Sequence, residues 1–589
     1  MKAKIFDRKF EYVWIALIIT LMLSLTFDQY GYTYDQLRNL IVSDEILERW
    51  IPTFFGSNFY KHPPLLYYLI SFVGLSGISL YTSGQIVVLL FAFLSIVFIY
   101  KLGNELFNQN FARVSAIILG VSPLFWIWGN RVLHETMVFF FFISSLYFLL
   151  LGIRKGKTRD WAAFGLLLGL GVLAKVVMFL IIPIAIIFAF LSPNIIRFRK
   201  RVSYVNLRLV RKAILSLFIA FLVYSPYLIY KFVNHAPSII GIWTEHIRGD
   251  LPWSTEMVVR PLYYYIFNLH ETLSITVTIL FTLGLIFMAI RREKKLLLPL
   301  VWFLLVIAFF SLPAYKEPRL ISALFPAAVL IGVYGMFELS KTLGKLMKVR
   351  PNKIILTISV LVVAIQVFSS LSVVANDGHW PSDWEMWEYL RGIEDDGGVI
   401  VSNYEYLGVR YFTDKHSEIL AWGITEHDIL DGMMESSVYY IFKNDFNVSE
   451  DHFNKIREFE ECDCSLYRIR DKFMENVTFL KVYAEGEPLE GAVIRFYNQN
   501  AEIVYKVRSN RNGEAFLPLG NGYYYLQERK MCYWGKDAYI EIRDREAYEC
   551  ELISEFAIVP FVFNCFDRKY EVNLNYRGCF KHEFPEKRF

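Results

Sequence analysis

The first 461 residues contain no cysteine; all six, Cys462, Cys464, Cys532, Cys550, Cys565 and Cys579, lie in the last part of the chain. Charge is scarce as well. Asp, Glu, Lys and Arg make up 20% of the 589 residues, whereas soluble domains carry nearer a quarter, and 55% of the chain is hydrophobic. That balance excludes an ordinary soluble enzyme and points to lipid as the solvent for much of the chain. No basic patch is joined to an RNA- or DNA-binding motif, so no nucleic-acid partner is expected. The first apolar stretch, residues 12–27, follows Lys2, Lys4, Arg8 and Lys9 but ends in Phe27-Asp28-Gln29-Tyr30 without a small-residue cleavage site. It reads as an uncleaved first span. His134-Glu135 has Val138 where a second zinc-binding histidine would stand, which excludes the HExxH metalloprotease site.

What is abundant is long apolar runs. A membrane helix needs about 20 largely apolar residues. Candidates fall at 12–27, 84–100, 112–128, 135–151, 213–230, 272–290, 296–312, 320–337 and 354–374. Residues 161–191 are too long for one span and are interrupted by Lys175, so they read as a hairpin of two, giving about eleven spans. Four loops are basic: 154–157, 197–212, 291–295 and 341–353. Lys and Arg stay preferentially on the cytoplasmic side. All four loops fall inside with the N-terminus provided that the apolar segment 64–73 does not cross and lies instead in the outer interface. The same parity puts Lys175 at an outer hairpin tip and everything after residue 374 outside the cell.

The expected organisation is a transmembrane domain over 1–375 with an outer loop at 28–83, followed by two extracytoplasmic domains. Residues 376–472 read as a small α/β unit, with a helix at 384–391 and short strands at 399–402, 438–442 and 466–469. Residues 473–589 read as all-β, with turn signals at Asn512-Gly513 and Gly520-Asn521-Gly522. Gly486-Glu487-Pro488-Leu489-Glu490-Gly491-Ala492-Val493 and Asn512-Gly513-Glu514-Ala515-Phe516 resemble prealbumin-like β-sandwich repeats. Six cysteines outside the membrane favour disulfides over a metal site, because Cys462 and Cys464 lack a companion pair at ligand spacing.

Chemistry-bearing residues gather on the outer face. Asp35 lies just beyond the first span, where a carboxylate can act as general base or simply cap a helix. Lys61 and His62 open the interfacial segment at the depth of a lipid phosphate, a position also open to ordinary snorkelling lysines. Arg131 and Glu135 are spaced to pair with each other if helical, and Lys175 interrupts an apolar stretch, where a charge is costly. Lys316 and Arg319 add two more cations. Transfer from a lipid-phosphate sugar needs such a set: a base for the acceptor oxygen and cations for the departing phosphate.

The order of these motifs resembles the GT-C membrane glycosyltransferases of the protein O-mannosyltransferase and lipid A aminoarabinose-transferase type. Asp35-Gln36-Leu37-Arg38 is similar to that family's Asp-Glu-x-x-Arg motif, and Lys61-His62-Pro63-Pro64-Leu65 to its Lys-Pro-Pro or His-Pro-Pro motif. Arg131-Val132-Leu133-His134-Glu135 looks like its Arg-x-x-x-Asp/Glu. The glycine-rich run from Gly165 to Gly171 leading to Lys175 looks like its lysine-tipped hairpin. The resemblance implies Asp35 as catalytic carboxylate, with Arg38, Lys61 and Lys175 facing the carrier phosphate and Glu135 shaping the pocket. Gln36 departs from the family's glutamate. The oligosaccharyltransferase branch would bring an Asp-x-Asp and a Trp-Trp-Asp-Tyr-Gly motif, which Trp380, Trp384 and Trp387 do not form. No cofactor and no obligatory metal are expected.

The implied partners are a dolichyl- or undecaprenyl-phosphate sugar and an acceptor hydroxyl on a protein, lipid or glycan, with membrane lipids around. A transporter or flippase of lipid-linked sugar is the alternative, but such proteins favour repeated halves and charges at the midplane. Neither is visible here.

Overall fold

A computed structural model describes residues 11–26, 33–54, 57–59, 62–191, 196–199, 202–205, 207–234, 260–313 and 316–377. Beyond these it describes a helix at 384–393 and separate short elements between 400 and 576. The chain divides into two compact units, 1–380 and 381–589.

The first unit is helical: α1 (Glu11–Ser24), α2 (Tyr34–Arg49), α3 (Leu65–Gly74), α4 (Leu80–Leu106), α5 (Gln109–Val121), α6 (Pro123–Gly129) and α7 (Glu135–Lys155). They are followed by α8 (Thr158–Ala174), α9 (Ile181–Leu191), α10 (Leu207–Val233), α11 (Ile275–Arg291), α12 (Leu297–Ser311), α13 (Phe325–Met347) and α14 (Pro351–Asp377). Among the described residues six helical segments are long and apolar enough to cross a membrane, and the bent pair α5–α6 makes a seventh. The protein is thus polytopic and helical. The expected span over 112–128 is broken into two helices bent by 59°, which together pass as one apolar segment. Ser122 takes an extended conformation and Pro123, which has no N–H to donate, starts a new helix at its first position.

Segment 64–73 forms α3, ten residues long. At about 1.5 Å per residue it is too short to cross about 30 Å of hydrocarbon. Leu66, Tyr67, Ile70 and Ser71 are buried while Phe72 is 72% exposed, so one face packs on protein and the other is left for lipid. The helices of the first unit differ in burial. α7 and α13 are buried along most of their length, and α10 and α14 expose most of theirs. The glycine-rich stretch of α8 is a packing surface: a Cβ on Gly165 would stand 2.2 Å from the Ser216 carbonyl oxygen, and one on Gly169 2.8 Å from that of Ala220. Two glycines four apart let α8 and α10 touch backbone to backbone, as small residues do in membrane helix pairs.

The second unit opens with α15 (Trp384–Gly392), whose Met386, Trp387 and Leu390 are buried. Five strands follow: β1 (Ile400–Ser402), β2 (Ser417–Ile419), β3 (Tyr439–Lys443), β4 (Phe453–Phe459) and β5 (Cys464–Ile469). They form a mixed sheet in the order β2-β1-β3-β5-β4, parallel at β1–β2 and β1–β3 and antiparallel elsewhere. Cys462 and Cys464 are joined by a disulfide.

The strands between Thr478 and Tyr576 belong to a separate eleven-stranded sheet. The expected turns at 512–513 and 520–522 border strands, but those strands find other partners. Glu514–Leu517 pairs with Thr478–Ala484, and Gly522–Lys530 pairs with Val493–Tyr497 and Ala538–Arg543. Glu546–Ile553 and Val562–Lys569 are antiparallel, with the α-carbons of Cys550 and Cys565 directly opposite. Opposite residues of an antiparallel pair lie about 4.5–5.5 Å apart, inside the range a disulfide bridges. Peptide mapping of unreduced protein is therefore expected to recover a Cys550–Cys565 bridge. Both residues alkylated as free thiols at extraction would refute it. Cys532 and Cys579 lie outside the described residues.

Candidate active site

The site is built around the start of α2. Thr33 is its N-cap, accepting from the Gln36 backbone N–H, while the Gln36 side-chain oxygen accepts from the Thr33 N–H at 2.9 Å. This capping box satisfies two orphan donors of the first turn. It also fixes the role of Gln36, the residue that departs from the family pattern: its side chain closes the helix end. Asp35 is not the cap. It is the second residue of the helix, in the first turn, where the positive end of the helix dipole favours a carboxylate.

Two guanidinium groups hold that carboxylate. Arg38, one turn further along α2 with its side chain 3% exposed, approaches Oδ1 at 2.6 Å, and Arg319 donates to Oδ2 at 2.7 Å. Arg38 is caged between the rings of Tyr34 and Phe59, each 5.9 Å from the guanidinium carbon. Arg319 is the second residue of the 3₁₀ segment Pro318–Leu324 ahead of α13, lies over the Trp128 ring at 5.8 Å, and is shared with Glu317 at 3.4 Å. Charge-assisted pairs of this length are the strong class of hydrogen bond.

A second pair lies beside the first. Lys175 stands in extended backbone (φ −157°, ψ 137°) where α8 ends and the 3₁₀ turn Val176–Leu180 begins. Its Nζ donates to Glu135 Oε1 at 2.8 Å, and the Glu135 side chain is only 3% exposed. Arg319 is within electrostatic reach of Glu135 as well as Asp35, so the two pairs form one cluster. The i,i+4 pairing of Arg131 with Glu135 that the spacing suggests is not what forms. Residues 131–134 are not helical, α7 begins only at Glu135, and Arg131 lies over the Trp128 ring at 5.5 Å.

His134 is buried at the junction, with its ring 5.4 Å from that of His62 and edge-on to Tyr67 at 5.5 Å. Burial, and then the Lys175 ammonium nearby, push its pKa down to about 3, so the ring is neutral at physiological pH. The loop is tied down from both sides: Asn39 Nδ2 donates to the Val132 carbonyl at 2.9 Å, and Asn130 Nδ2 to the Thr26 hydroxyl at 2.7 Å. Lys316 is placed differently from the other predicted cations. Its ammonium donates to the carbonyls of Arg260 and Pro313 at 2.9 and 2.6 Å, and burial lowers its pKa. Lys61, and the loop over 235–259, lie outside the described residues.

Residues 61–230 match the family described as dolichyl-phosphate-mannose-protein mannosyltransferase. An undecaprenyl phosphate-α-4-amino-4-deoxy-L-arabinose arabinosyl transferase from Pseudomonas fluorescens is 25% identical over 319 residues, which cover 51% of this chain and 52% of the relative. The chain thus spans about half the length of the curated relatives it matches. Among solved structures, ArnT from Cupriavidus metallidurans bound to undecaprenyl phosphate superposes with a TM-score of 0.54. It is 12% identical, covering 77% of this chain and 97% of that one. The archaeal oligosaccharyltransferase AglB from Archaeoglobus fulgidus, in complex with an inhibitory peptide and a dolichol-phosphate, gives 0.53 at 10% identity, covering 97% and 99%. The chain has the GT-C membrane glycosyltransferase fold.

Asp35, Arg38, Glu135, Lys175 and Arg319, all singled out in the sequence, come together in one cluster, each from a separate stretch of sequence except the first two. Sequence reading missed Tyr34, Phe59, Trp128 and His134, the aromatic walls of the cluster, and Glu317. Trp128 ends an apolar span and carries no signal of its own; only the two arginines folded over it reveal its place. Among the described residues no three His, Cys, Asp or Glu side chains gather as a metal site. The cluster offers a carboxylate flanked by cations whose guanidinium groups are able to pair with an anion.

Proposed function

We propose that this protein is a glycosyltransferase that takes a sugar from a polyprenyl-phosphate carrier and delivers it to an acceptor hydroxyl at the outer face of the membrane. The observation that carries this reading is the Asp35 carboxylate held between Arg38 and Arg319 beside the Glu135–Lys175 pair. When the carrier enters, its phosphate competes for Arg38, Arg319, Lys175 and Lys61, and Asp35 is released to accept the proton of the acceptor hydroxyl. The oxygen attacks the sugar carbon, the bond to phosphate breaks, and the cations stabilise the departing phosphate. His62, Arg131 and Lys316 are assigned to the walls of the carrier site, Glu135 to its shape. The test is a reconstituted assay in which purified protein and lipid-linked sugar are followed over time. A transferase consumes the lipid-linked sugar, whereas a flippase moves it across the bilayer and leaves it intact, and that result would overturn the reading.

The same proposal includes about eleven spans, a cytoplasmic N-terminus, and an extracytoplasmic second unit with a disulfide-bearing β-sandwich. Loop charge supports this sidedness. In a background lacking the six native cysteines, Ser76→Cys is expected to react with an impermeant thiol reagent in intact cells, and Glu293→Cys only after the membrane is opened. Labelling of the Glu293 position in intact cells would reverse the topology.

A further inference from the structure

At the end of α1, α4 and α7 opposite the Asp35 cluster there is a half-open cavity of about 440 Å³ lined by Tyr12, Tyr100, Lys101, Asn104, Glu105, Gln109 and Tyr147. The placement follows from the helices themselves. α1 runs from Tyr12 towards Thr26, which accepts from Asn130; α4 has Gly84 packed against Val132 at its start and Lys101 in its last turns. Tyr147 follows Glu135 by twelve residues of α7, about 18 Å along the axis.

Two acids at this end, Glu11 and Glu105, are already engaged. Glu11 accepts from Arg113 at 2.6 Å, from Gln109 at 2.8 Å and from the Tyr100 hydroxyl, and Glu105 is paired with Arg154 and Lys155 at 3.5 and 3.2 Å. Among the described residues no carboxylate or carbonyl accepts from the Lys101 ammonium, which lies over the rings of Phe98 and Tyr12 at 4.8 and 5.6 Å. Among the described residues Arg113, Arg154 and Lys155 are matched to Glu11 and Glu105, while the Lys101 ammonium has aromatic rings beside it instead. A lysine that merely snorkels reaches outward into water. This one is half-buried between helices, held by aromatic rings at the edge of a cavity that has room for a ligand.

We propose that this cavity binds the phosphate of an anionic phospholipid headgroup, with Lys101 as the charge partner and the Asn104 amide and the Tyr12 and Tyr147 hydroxyls as further donors. The depth suits it, since the last turns of a spanning helix reach the headgroup layer, where basic pockets between helices take anionic lipids. The site is separate from the Asp35 cluster and does not depend on its chemistry.

The test uses the full chain in nanodiscs. Retention of phosphatidylglycerol is measured by native mass spectrometry against phosphatidylcholine for the parent, Lys101→Gln and Lys101→Arg. The parent is expected to prefer phosphatidylglycerol, Lys101→Gln to lose at least about ten-fold of that preference, and Lys101→Arg to keep it. Equal retention of the two lipids by the parent overturns the proposal, and so does an unchanged preference in Lys101→Gln. A further arm adds inorganic phosphate to the parent. Displacement of the lipid by millimolar phosphate overturns the lipid assignment, because the site would then serve a soluble anion.

Discussion

Asp35→Asn is expected to lower the rate of sugar transfer by about 10²–10⁴, the contribution of a positioned general base, while leaving carrier binding intact or tighter. The second half of that expectation comes from the site's geometry. The carboxylate now occupies two guanidinium groups at 2.6 and 2.7 Å. An amide of the same size releases them for the carrier phosphate without supplying basicity. A purely structural Asp35 predicts the reverse: transfer close to the parental rate, a lower melting temperature, and no gain in binding. Transfer and carrier binding measured separately in nanodiscs distinguish the two, and near-parental transfer by Asp35→Asn removes it as the base.

Lys175→Met carries the largest expected effect on stability. It leaves the Glu135 carboxylate, 3% exposed, without the ammonium 2.8 Å away. Breaking a buried ion pair on one side costs about 3–5 kcal/mol, because the remaining charge stays buried, whereas removing both partners costs far less. Thermal unfolding in detergent is therefore expected to show a large loss for Lys175→Met. Most of that loss should be recovered in the double variant with Glu135→Gln. A Lys175→Met protein as stable as the parent would show that the pair does not hold this junction together.

How much of this was legible beforehand depends on how local each signal is. The apolar runs of α4, α7, α13 and α14 were readable because length and hydropathy alone decide membrane crossing. The interruption at Lys175 was readable because a charge among apolar residues marks a break. Asp35 and Arg38 are three residues apart on one helix, so their pairing lies within local reach. The bend at Ser122–Pro123 needed the proline to be weighed against an otherwise unbroken apolar run. The pairing of Glu135 with Lys175, forty residues on, could not be read, because the i,i+4 rule pointed to Arg131 and applies only inside a helix. Turn signals in the last part marked where strands stop but not which strands meet, since cross-strand partners are set by the whole sheet.

The Asp35–Arg319 bond joins residues 284 positions apart in the chain. Arg38 is at hand as soon as the first helical turn of α2 forms, but Arg319 does not yet exist when that happens. At about 5–20 residues per second of synthesis, roughly 15–60 s separate the two arrivals at the ribosome. During that interval the nascent protein holds its carboxylate with one guanidinium instead of two. A product terminated between residues 231 and 318 keeps the mannosyltransferase-like stretch 61–230 in full, yet lacks the second hand of the clamp. On the proposed function, the clamp on Asp35 is therefore finished late in synthesis, after most of the helices that precede Arg319 have been made.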